Sequence, residues 1–211
     1  MPVRLFLARH GQVPSNREMR YVGDLDERLT EVGERQTDAL ASALAQLSVG
    51  SVVTSPLVRC LRTAETIAAA TEAPLRADDR LREQSFGTWE GMSRAEVLQR
   101  SEEDRATLTA WESDPEVAPP EGESMVSVQR RVLALVGELE GGSGGDTVLV
   151  SHVGPIKALL AAAMRLRVDQ VRRLFLDPAT ITVIDWGEEP LVRLCNSHAH
   201  LGWTNARWMK S

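Results

Sequence analysis

The sequence predicts an α/β domain built on a parallel sheet, and three observations lead to this prediction. Short strand-like runs alternate along the chain with longer segments whose apolar residues recur at helical spacing. The length of 211 residues and the apolar share of 43% are enough for one sizeable core. Three predicted strands run directly into polar tripeptides, as strands do at the ligand-binding edge of a parallel sheet. We therefore expect residues 1–211 to form a single domain.

The first half of the chain predicts two strands, each followed by a helix. Residues 3–7 form the first strand, and a helix with Thr30 as its N-cap covers residues 30–47. Residues 52–54 form the second strand. Ser55-Pro56 then opens the next helix, because serine is favoured at the cap and proline at the first helical position.

The second half predicts one insertion and further alternating elements. Residues 94–120 are polar and end in proline, which predicts a helical insertion or lid. A helix with a strong apolar face begins at Ser124 and ends at a glycine-rich surface turn, residues 141–145. The remaining elements are a buried strand, a helix and two strands that suit a hairpin, at residues 147–150, 156–164, 181–186 and 191–195.

Composition narrows the function classes. The net charge of -6 argues against broad binding to nucleic acid or to an anionic membrane. No stretch resembles a signal peptide or approaches the ~20 apolar residues of a membrane helix. Cys60 and Cys195 lie in apolar surroundings, which predicts two core-filling thiols in a reducing compartment. We expect a cytoplasmic protein whose partner is a small molecule.

Histidine and arginine residues follow the ends of three predicted strands. Arg9-His10 follows the first strand, Arg59 lies after the second, and His152 follows the strand at residues 147–150. Any one of these residues is more often structural than catalytic. Together, at converging strand ends, they predict a phosphoryl-transfer site, because guanidinium groups match phosphate oxygens and an imidazole can accept a phosphoryl group.

Six motifs also occur in the order typical of a known enzyme family. They are Arg-His-Gly at residues 9–11 with Asn16, residues 29–36, residues 55–59 with Thr63-Ala64, residues 81–83 with 86–91, residues 120–124 and residues 150–152. With these motifs the chain resembles the histidine phosphatase superfamily, the phosphoglycerate mutase-like group. The resemblance extends from Arg9 to about Asn196 and therefore covers nearly the whole chain.

The resemblance implies a fold, an activity and a role for each matching residue. The fold would be a three-layer αβα sandwich with a mostly parallel central sheet. The activity would be hydrolysis of a small phosphate monoester, with no cofactor and no metal. His10 would be the nucleophile that becomes phosphorylated, and Glu83 would protonate the leaving alcohol and then activate water. The phosphoryl oxygens would be held by Arg9, Asn16, Arg59 and His152.

The sequence departs from the family pattern around the matching histidines. Gln12 and Val13 stand where many members have a glutamate and then a small hydroxyl residue. Val153-Gly154-Pro155 replaces the commoner double glycine after His152. This last variant resembles some alpha-ribazole phosphatase-like members, but it does not identify a substrate.

Two other functions stay open. A mutase would return the phosphoryl group to a phosphoglycerate, and members of that kind generally carry a basic insertion. The region between Glu83 and His152 is acidic here, which predicts a poor fit to a diacid phosphate; it contains Glu102, Glu103, Asp104, Glu112, Asp114, Glu116, Glu121 and Glu123. A non-catalytic phosphate-binding homologue is the other alternative, although such a protein has no need for Glu83.

Three further features receive weaker expectations. His198-Ala199-His200 has the spacing of metal ligands, but no third ligand cluster accompanies it, so we expect a solvated C-terminal segment. Trp111 in the insertion is a candidate for lining a substrate entrance. A homodimer paired through an exposed edge strand is left open.

Overall fold

The computed structural model describes residues 3–141 and 145–202 as a layered α/β structure. Six strands form one sheet: β1 (Val3–Arg9), β2 (Ser51–Thr54), β3 (Leu75–Ala77), β4 (Thr147–Ser151), β5 (Ile181–Trp186) and β6 (Leu191–Ser197). The described ranges contain seven α-helices: α1 (Pro14–Glu18), α2 (Glu31–Leu44), α3 (Val58–Thr71), α4 (Arg94–Arg100), α5 (Glu102–Trp111), α6 (Met125–Glu140) and α7 (Val153–Ala163). Most of the predicted glycine-rich turn, residues 142–144, lies outside the described residues.

The sheet is mostly parallel, as predicted. Its strand order is β3-β2-β4-β1-β5-β6. The first four of these strands run in one direction, whereas β5 is antiparallel to β1 and β6 is antiparallel to β5. Arg9 at the end of β1 lies opposite Ser151 at the end of β4. The carboxyl ends of the two central strands therefore lie next to each other at one edge of the sheet.

Helices cover both faces of the sheet and produce three layers. Successive side chains of a strand point to opposite faces, so the central strand β1 contributes to two separate cores. Phe6 and Ala8 pack in the core beneath α2 and α3. Leu5 and Leu7 pack in the core beneath α6 and α7. The result is the three-layer αβα sandwich that the resemblance implied.

The start of α3 differs from the prediction. The helix begins at Val58 and not at Pro56, so Ser55 is not its N-cap. The Ser55 hydroxyl instead lies 2.9 Å from Nε2 of His152. The backbone N–H of Val58 donates to the carboxylate of Asp26 at 2.7 Å, which supplies the acceptor that the serine does not. The Ser55 hydroxyl also accepts from the backbone N–H of Leu57 at 3.4 Å, so it contacts both the N-cap residue of α3 and His152.

The two cysteines lie in different environments. Cys60 is fully buried in the core beneath α2 and α3, as predicted. Cys195 is exposed, so the prediction of a core-filling thiol at this position is wrong. It lies on the edge strand β6, most of whose residues are exposed.

Helices α4 and α5 lie within residues 94–120 and form a small separate cluster. Its buried apolar residues are Trp89, Val97, Leu108 and Trp111. The indole N–H of Trp89 donates to the carboxylate of Asp104 at 2.7 Å, which fixes α5 against the preceding loop. The role of this segment as a lid and the organisation of residues 1–211 as a single domain stay predictions. Within the described ranges, no helix combines the length and apolar character needed to cross a membrane.

Candidate active site

The strand ends bring both predicted histidines together. The backbone N–H of His10 donates to the carbonyl of Ser151 at 3.1 Å, which ties the end of β1 to the end of β4. The rings of His10 and His152 lie with their centroids 5.1 Å apart. Both residues are buried, with 3% of His10 and 0% of His152 exposed.

The position of His10 defines which of its ring nitrogens can react. Nδ1 lies 2.7 Å from the carbonyl oxygen of Gly11, and a carbonyl can only accept, so Nδ1 carries the proton. Nε2 is then the nitrogen with a lone pair. Gly11 must be glycine because a Cβ atom here would lie 2.5 Å from the carbonyl oxygen of Gly33. This close approach of two backbones holds the turn after β1.

His152 is held from both sides. Its Nδ1 accepts a hydrogen bond from Nε of Arg59 at 3.2 Å, so Nε2 carries the proton and donates to Oγ of Ser55 at 2.9 Å. The sequence predicts Ser55 as a helix cap and gives no sign of this contact. For His152 to donate to a phosphoryl oxygen, its Nε2–H would have to break the hydrogen bond with Oγ of Ser55 and form one with that oxygen.

Two buried arginines supply positive charge at the same place. Arg59 is 1% exposed, and its Nη1 and Nη2 donate to the carbonyls of Leu25 and Gly23 at 2.6 and 2.7 Å. With the bond to His152, three of its five N–H groups have partners in the described residues. Nη1 of Arg9 donates to the carbonyl of Leu176 at 2.6 Å. These carbonyls orient the guanidinium groups and leave N–H groups of Arg59 for an anion.

Asn16 lies in the short helix α1, close to the turn that follows β1. Its Oδ1 accepts a hydrogen bond from the backbone N–H of Val13 at 3.2 Å. The side chain is buried, and its Nδ2 amide is the part that can donate to an oxyanion. The backbone of the turn after β1 therefore orients the side chain of Asn16.

Glu83 is placed by contacts with two distant segments. Its Oε1 accepts from the backbone N–H groups of Gln84 and Gly154, both at 2.9 Å. Its own backbone carbonyl accepts from Arg131 at 2.9 Å, and Arg131 forms a half-buried ion pair with Glu123. The contact with Gly154 at the start of α7 brings Glu83 within two residues of His152.

Burial and positive neighbours favour the neutral form of both site histidines. Burial, reinforced by Arg59 and Arg9, holds the pKa of His10 well below its ordinary value of 6.5. Burial and Arg59 likewise hold the pKa of His152 well below 6.5. The neutral forms agree with the hydrogen-bond partners of both rings. The positive charge of the site therefore comes from its arginines. The neutral imidazole is the nucleophilic form of a histidine.

We expect the free energy of unfolding to fall as the pH is lowered from 7 to 5. The unfolded chain takes up a proton at each histidine near pH 6.5, whereas the folded protein resists protonation of His10 and His152. Each such histidine adds a slope of about 1.4 kcal/mol per pH unit below pH 6.5. Urea unfolding at pH 7, 6 and 5 measures this slope, and His10→Gln should lower it. A flat profile would contradict the neutral buried pair.

A cavity of about 260 Å³ opens beside Glu83. Its lining includes the side chains of Phe86, Trp111, Lys157 and Arg172. Trp111, the candidate for lining a substrate entrance, thus lines this cavity, and its contact with a substrate stays a prediction. The acids of the insertion, all within the described residues, do not line this cavity; they are Glu102, Glu103, Asp104, Glu112, Asp114, Glu116, Glu121 and Glu123. Their absence from this lining does not test the prediction of a poor fit to a diacid phosphate, which stays a prediction.

The C-terminal histidines differ from the prediction of a solvated segment. His198 is buried, and its Nδ1 lies 3.2 Å from the carbonyl of Asn196. Nε2 of His200 lies 2.8 Å from the carbonyl of Ala179. Both rings therefore bond to backbone carbonyls of neighbouring segments. No group of three or more possible metal-ligating side chains occurs in the part of the chain that the structure describes.

A family model matches nearly the whole chain. Residues 5–196 match the model of the histidine phosphatase superfamily (branch 1). This range contains all six proposed site residues.

Individual relatives extend the comparison. A bifunctional protein of Mycobacterium tuberculosis is 40% identical over 204 residues, which are 95% of this chain but 55% of that protein. The chain thus spans about half the length of the first curated relatives it matches. A glucosyl-3-phosphoglycerate phosphatase of Mycolicibacterium vanbaalenii is 40% identical over 174 residues, 79% of this chain and 76% of the relative. The solved structure of an alpha-ribazole phosphatase from Shigella flexneri aligns with a TM-score of 0.82 at 27% identity, covering 92% and 96% of the two chains.

Proposed function

The chain belongs to the histidine phosphatase superfamily, and from this premise we propose that it is a metal-independent phosphomonoesterase acting through a phosphohistidine at His10. The observation that carries this proposal is the fixed proton of the His10 ring. Because Nδ1 donates to the carbonyl of Gly11, the lone pair of Nε2 is available at a site lined by buried cations. Arg9 and Arg59 supply charge that stabilises a transferring phosphoryl group.

The reaction would proceed in two displacement steps. In the first, Nε2 of His10 attacks phosphorus, the bond from phosphorus to the leaving oxygen breaks, and Glu83 gives its proton to that oxygen. In the second, the Glu83 carboxylate takes a proton from water while the water oxygen attacks phosphorus and frees His10. Oε1 of Glu83 already accepts two backbone N–H groups, so we assign the moving proton to Oε2.

Asn16, Arg59, Arg9 and His152 would hold the phosphoryl oxygens. The two N–H groups of Arg59 without a partner in the described residues and the Nδ2 amide of Asn16 are suited to this role. His152 also holds Arg59 in place through its Nδ1. Positioning and charge stabilisation of this kind account for most of the catalysis of phosphoryl transfer.

The substrate is a small phosphate monoester under this proposal. One relative is a glucosyl-3-phosphoglycerate phosphatase and one structural neighbour is an alpha-ribazole phosphatase, so both substrates belong in a test panel. A cytoplasmic location and a homodimer stay predictions from the sequence.

Hydrolysis of p-nitrophenyl phosphate in the presence of a chelator tests the proposal. We expect turnover between pH 5 and pH 8 that is insensitive to the chelator, with one inorganic phosphate released for each nitrophenol. Conversion of 3-phosphoglycerate to 2-phosphoglycerate without phosphate release would instead identify a mutase. Phosphate binding by the folded protein without any turnover would identify a non-catalytic homologue.

A further inference from the structure

The cavity beside Glu83 is where the alcohol portion of a substrate would lie. A general acid must contact the leaving oxygen, so the leaving group extends from Glu83 into the adjoining space. Of the six proposed site residues, Glu83 is the one in the cavity lining, and Val153 and Gly154, which directly follow His152, also line it. The residues that line the cavity therefore indicate the size and the chemistry of the leaving group. A volume of about 260 Å³ suits a small one.

One wall of the cavity carries the ammonium group of Lys157, which has a single hydrogen-bond partner in the described residues. Lys157 on α7 is half-buried, and its Nζ donates a single hydrogen bond, to the carbonyl of Arg172 at 2.6 Å. It forms no salt bridge with any carboxylate of the described residues. Burial lowers the pKa of Lys157 to about 8, so the ammonium form still prevails at pH 7. Two of its three N–H groups are left for a ligand.

A guanidinium group lies beside the ammonium. The Cζ atom of Arg172 lies 4.1 Å from the ring centroid of Trp111, and Nη1 donates to the Trp111 carbonyl at 2.8 Å. This stacking fixes the guanidinium plane against the cavity wall. Like Lys157, Arg172 forms no salt bridge within the part of the chain that the structure describes.

The carboxylates at this cavity are already engaged elsewhere. Asp169 accepts from Nε of Arg167 at 3.1 Å, and Glu83 accepts two backbone N–H groups. Glu112, the acid of the insertion that influences Arg172, is bound by two nitrogens of Arg94 at 2.7 and 2.8 Å. These carboxylates therefore form no ion pair with Lys157 or Arg172, although the charge of Glu83 acts on Lys157. Half-buried cations of this kind are stabilised when an anion binds between them.

We propose that the leaving group of the substrate carries a carboxylate that binds to Lys157 and Arg172, next to an apolar or ring-shaped portion that packs on Phe86 and Trp111. This inference rests on the proposed phosphatase function and narrows its substrate class. The cavity lining contains both of these cations and none of the acids named for the acidic region. The two cations would act as specificity-determining residues and take no part in proton transfer.

Matched aryl phosphates test the inference. Phenyl phosphate and its 3- and 4-carboxyphenyl analogues differ only in the carboxylate, and the ratio of their kcat/KM values measures the preference for the acid. We expect the wild type to prefer a carboxylated substrate by at least about tenfold. Lys157→Met and Arg172→Gln should each lower this ratio by about tenfold, and Lys157→Arg should restore it because the charge is kept.

The neighbouring Arg173 provides the control. It is exposed and does not line the cavity, so Arg173→Gln removes the same charge one residue away and should leave the ratio unchanged. Hydrolysis of all three substrates with equal kcat/KM would overturn the inference while leaving the proposed function intact.

A binding measurement separates the inference from the catalytic proposal. Calorimetric titration with benzylphosphonate and its 3- and 4-carboxyl analogues requires no turnover. Tighter binding of a carboxylated ligand, lost in Lys157→Met and kept in Arg173→Gln, would support the inference even if no aryl phosphate is hydrolysed and the proposed function fails. Equal affinities for the plain and carboxylated phosphonates would overturn it.

Discussion

Replacing His10 with alanine should lower turnover of p-nitrophenyl phosphate by about 10⁴-fold or more. The side chain that we propose to bond to phosphorus is then missing, and the remaining cations can bind the phosphate but offer no nucleophile. His10→Gln is the more informative variant. Its neutral amide keeps a hydrogen-bonding side chain of similar size in the buried site but has no nucleophilic nitrogen. Both variants should bind inorganic phosphate.

His198→Ala is the matched control for this experiment. It removes another buried histidine, whose ring bonds to the carbonyl of Asn196 and lies outside the proposed site. Turnover within about threefold of wild type is expected for this variant, since it loses no group that contacts the substrate. Persistent activity in both His10 variants would show that the nucleophile is elsewhere.

The intermediate itself offers a second measurement. A rapid acid-free quench during turnover should leave phosphate on the wild-type protein in a bond that acid cleaves and base does not, and peptide mapping should locate it at His10. His10→Gln should carry no such label. Label on a serine or an aspartate would contradict the proposed chemistry.

The central part of the site could be predicted because it depends on strand ends. His10 and His152 each follow a buried apolar strand, and parallel neighbours bring their carboxyl ends to one edge. The sequence therefore suffices to place the two rings close together. It could not assign their protons, because these depend on the carbonyl of Gly11 and on the hydroxyl of Ser55.

Other features depended on contacts that leave no local pattern. β3 was not predicted because its three residues are exposed and show no apolar alternation. Glu83 was identified only through the family resemblance, since its position depends on Gly154 and Arg131, which are far away in the chain. Whether an acidic insertion faces the substrate depends on which side of each helix points inward. The sequence does not give that orientation for the acidic region or for Lys157.

Replacing Glu83 with glutamine should have an effect that depends on the leaving group. Glutamine is nearly isosteric but cannot give a proton to the leaving oxygen. For an alkyl phosphate, whose alkoxide is a poor leaving group, we expect kcat/KM to fall by about 10²- to 10⁴-fold. For p-nitrophenyl phosphate, whose leaving group is stable as an anion, the first step needs no proton and its loss should be much smaller. Single-turnover rates of phosphorylation for the two substrates measure this difference. Equal losses for both would assign Glu83 a structural role.

A variant that displaces the Glu83 carboxylate without removing it should also lose more activity toward an alkyl phosphate than toward p-nitrophenyl phosphate. A Cβ atom at Gly154 would lie 2.4 Å from Oε1 of Glu83, so Gly154→Ala forces the carboxylate out of its hydrogen bond with this backbone N–H. Gly137→Ala is the control, since nothing lies within 4 Å of an added Cβ atom there. Loss of alkyl phosphate hydrolysis in Gly154→Ala alone, with p-nitrophenyl phosphate less affected, would mean that the position of the proton donor limits catalysis. Equal activity in the two alanine variants would show that proton transfer does not require Oε1 to be held at this N–H group.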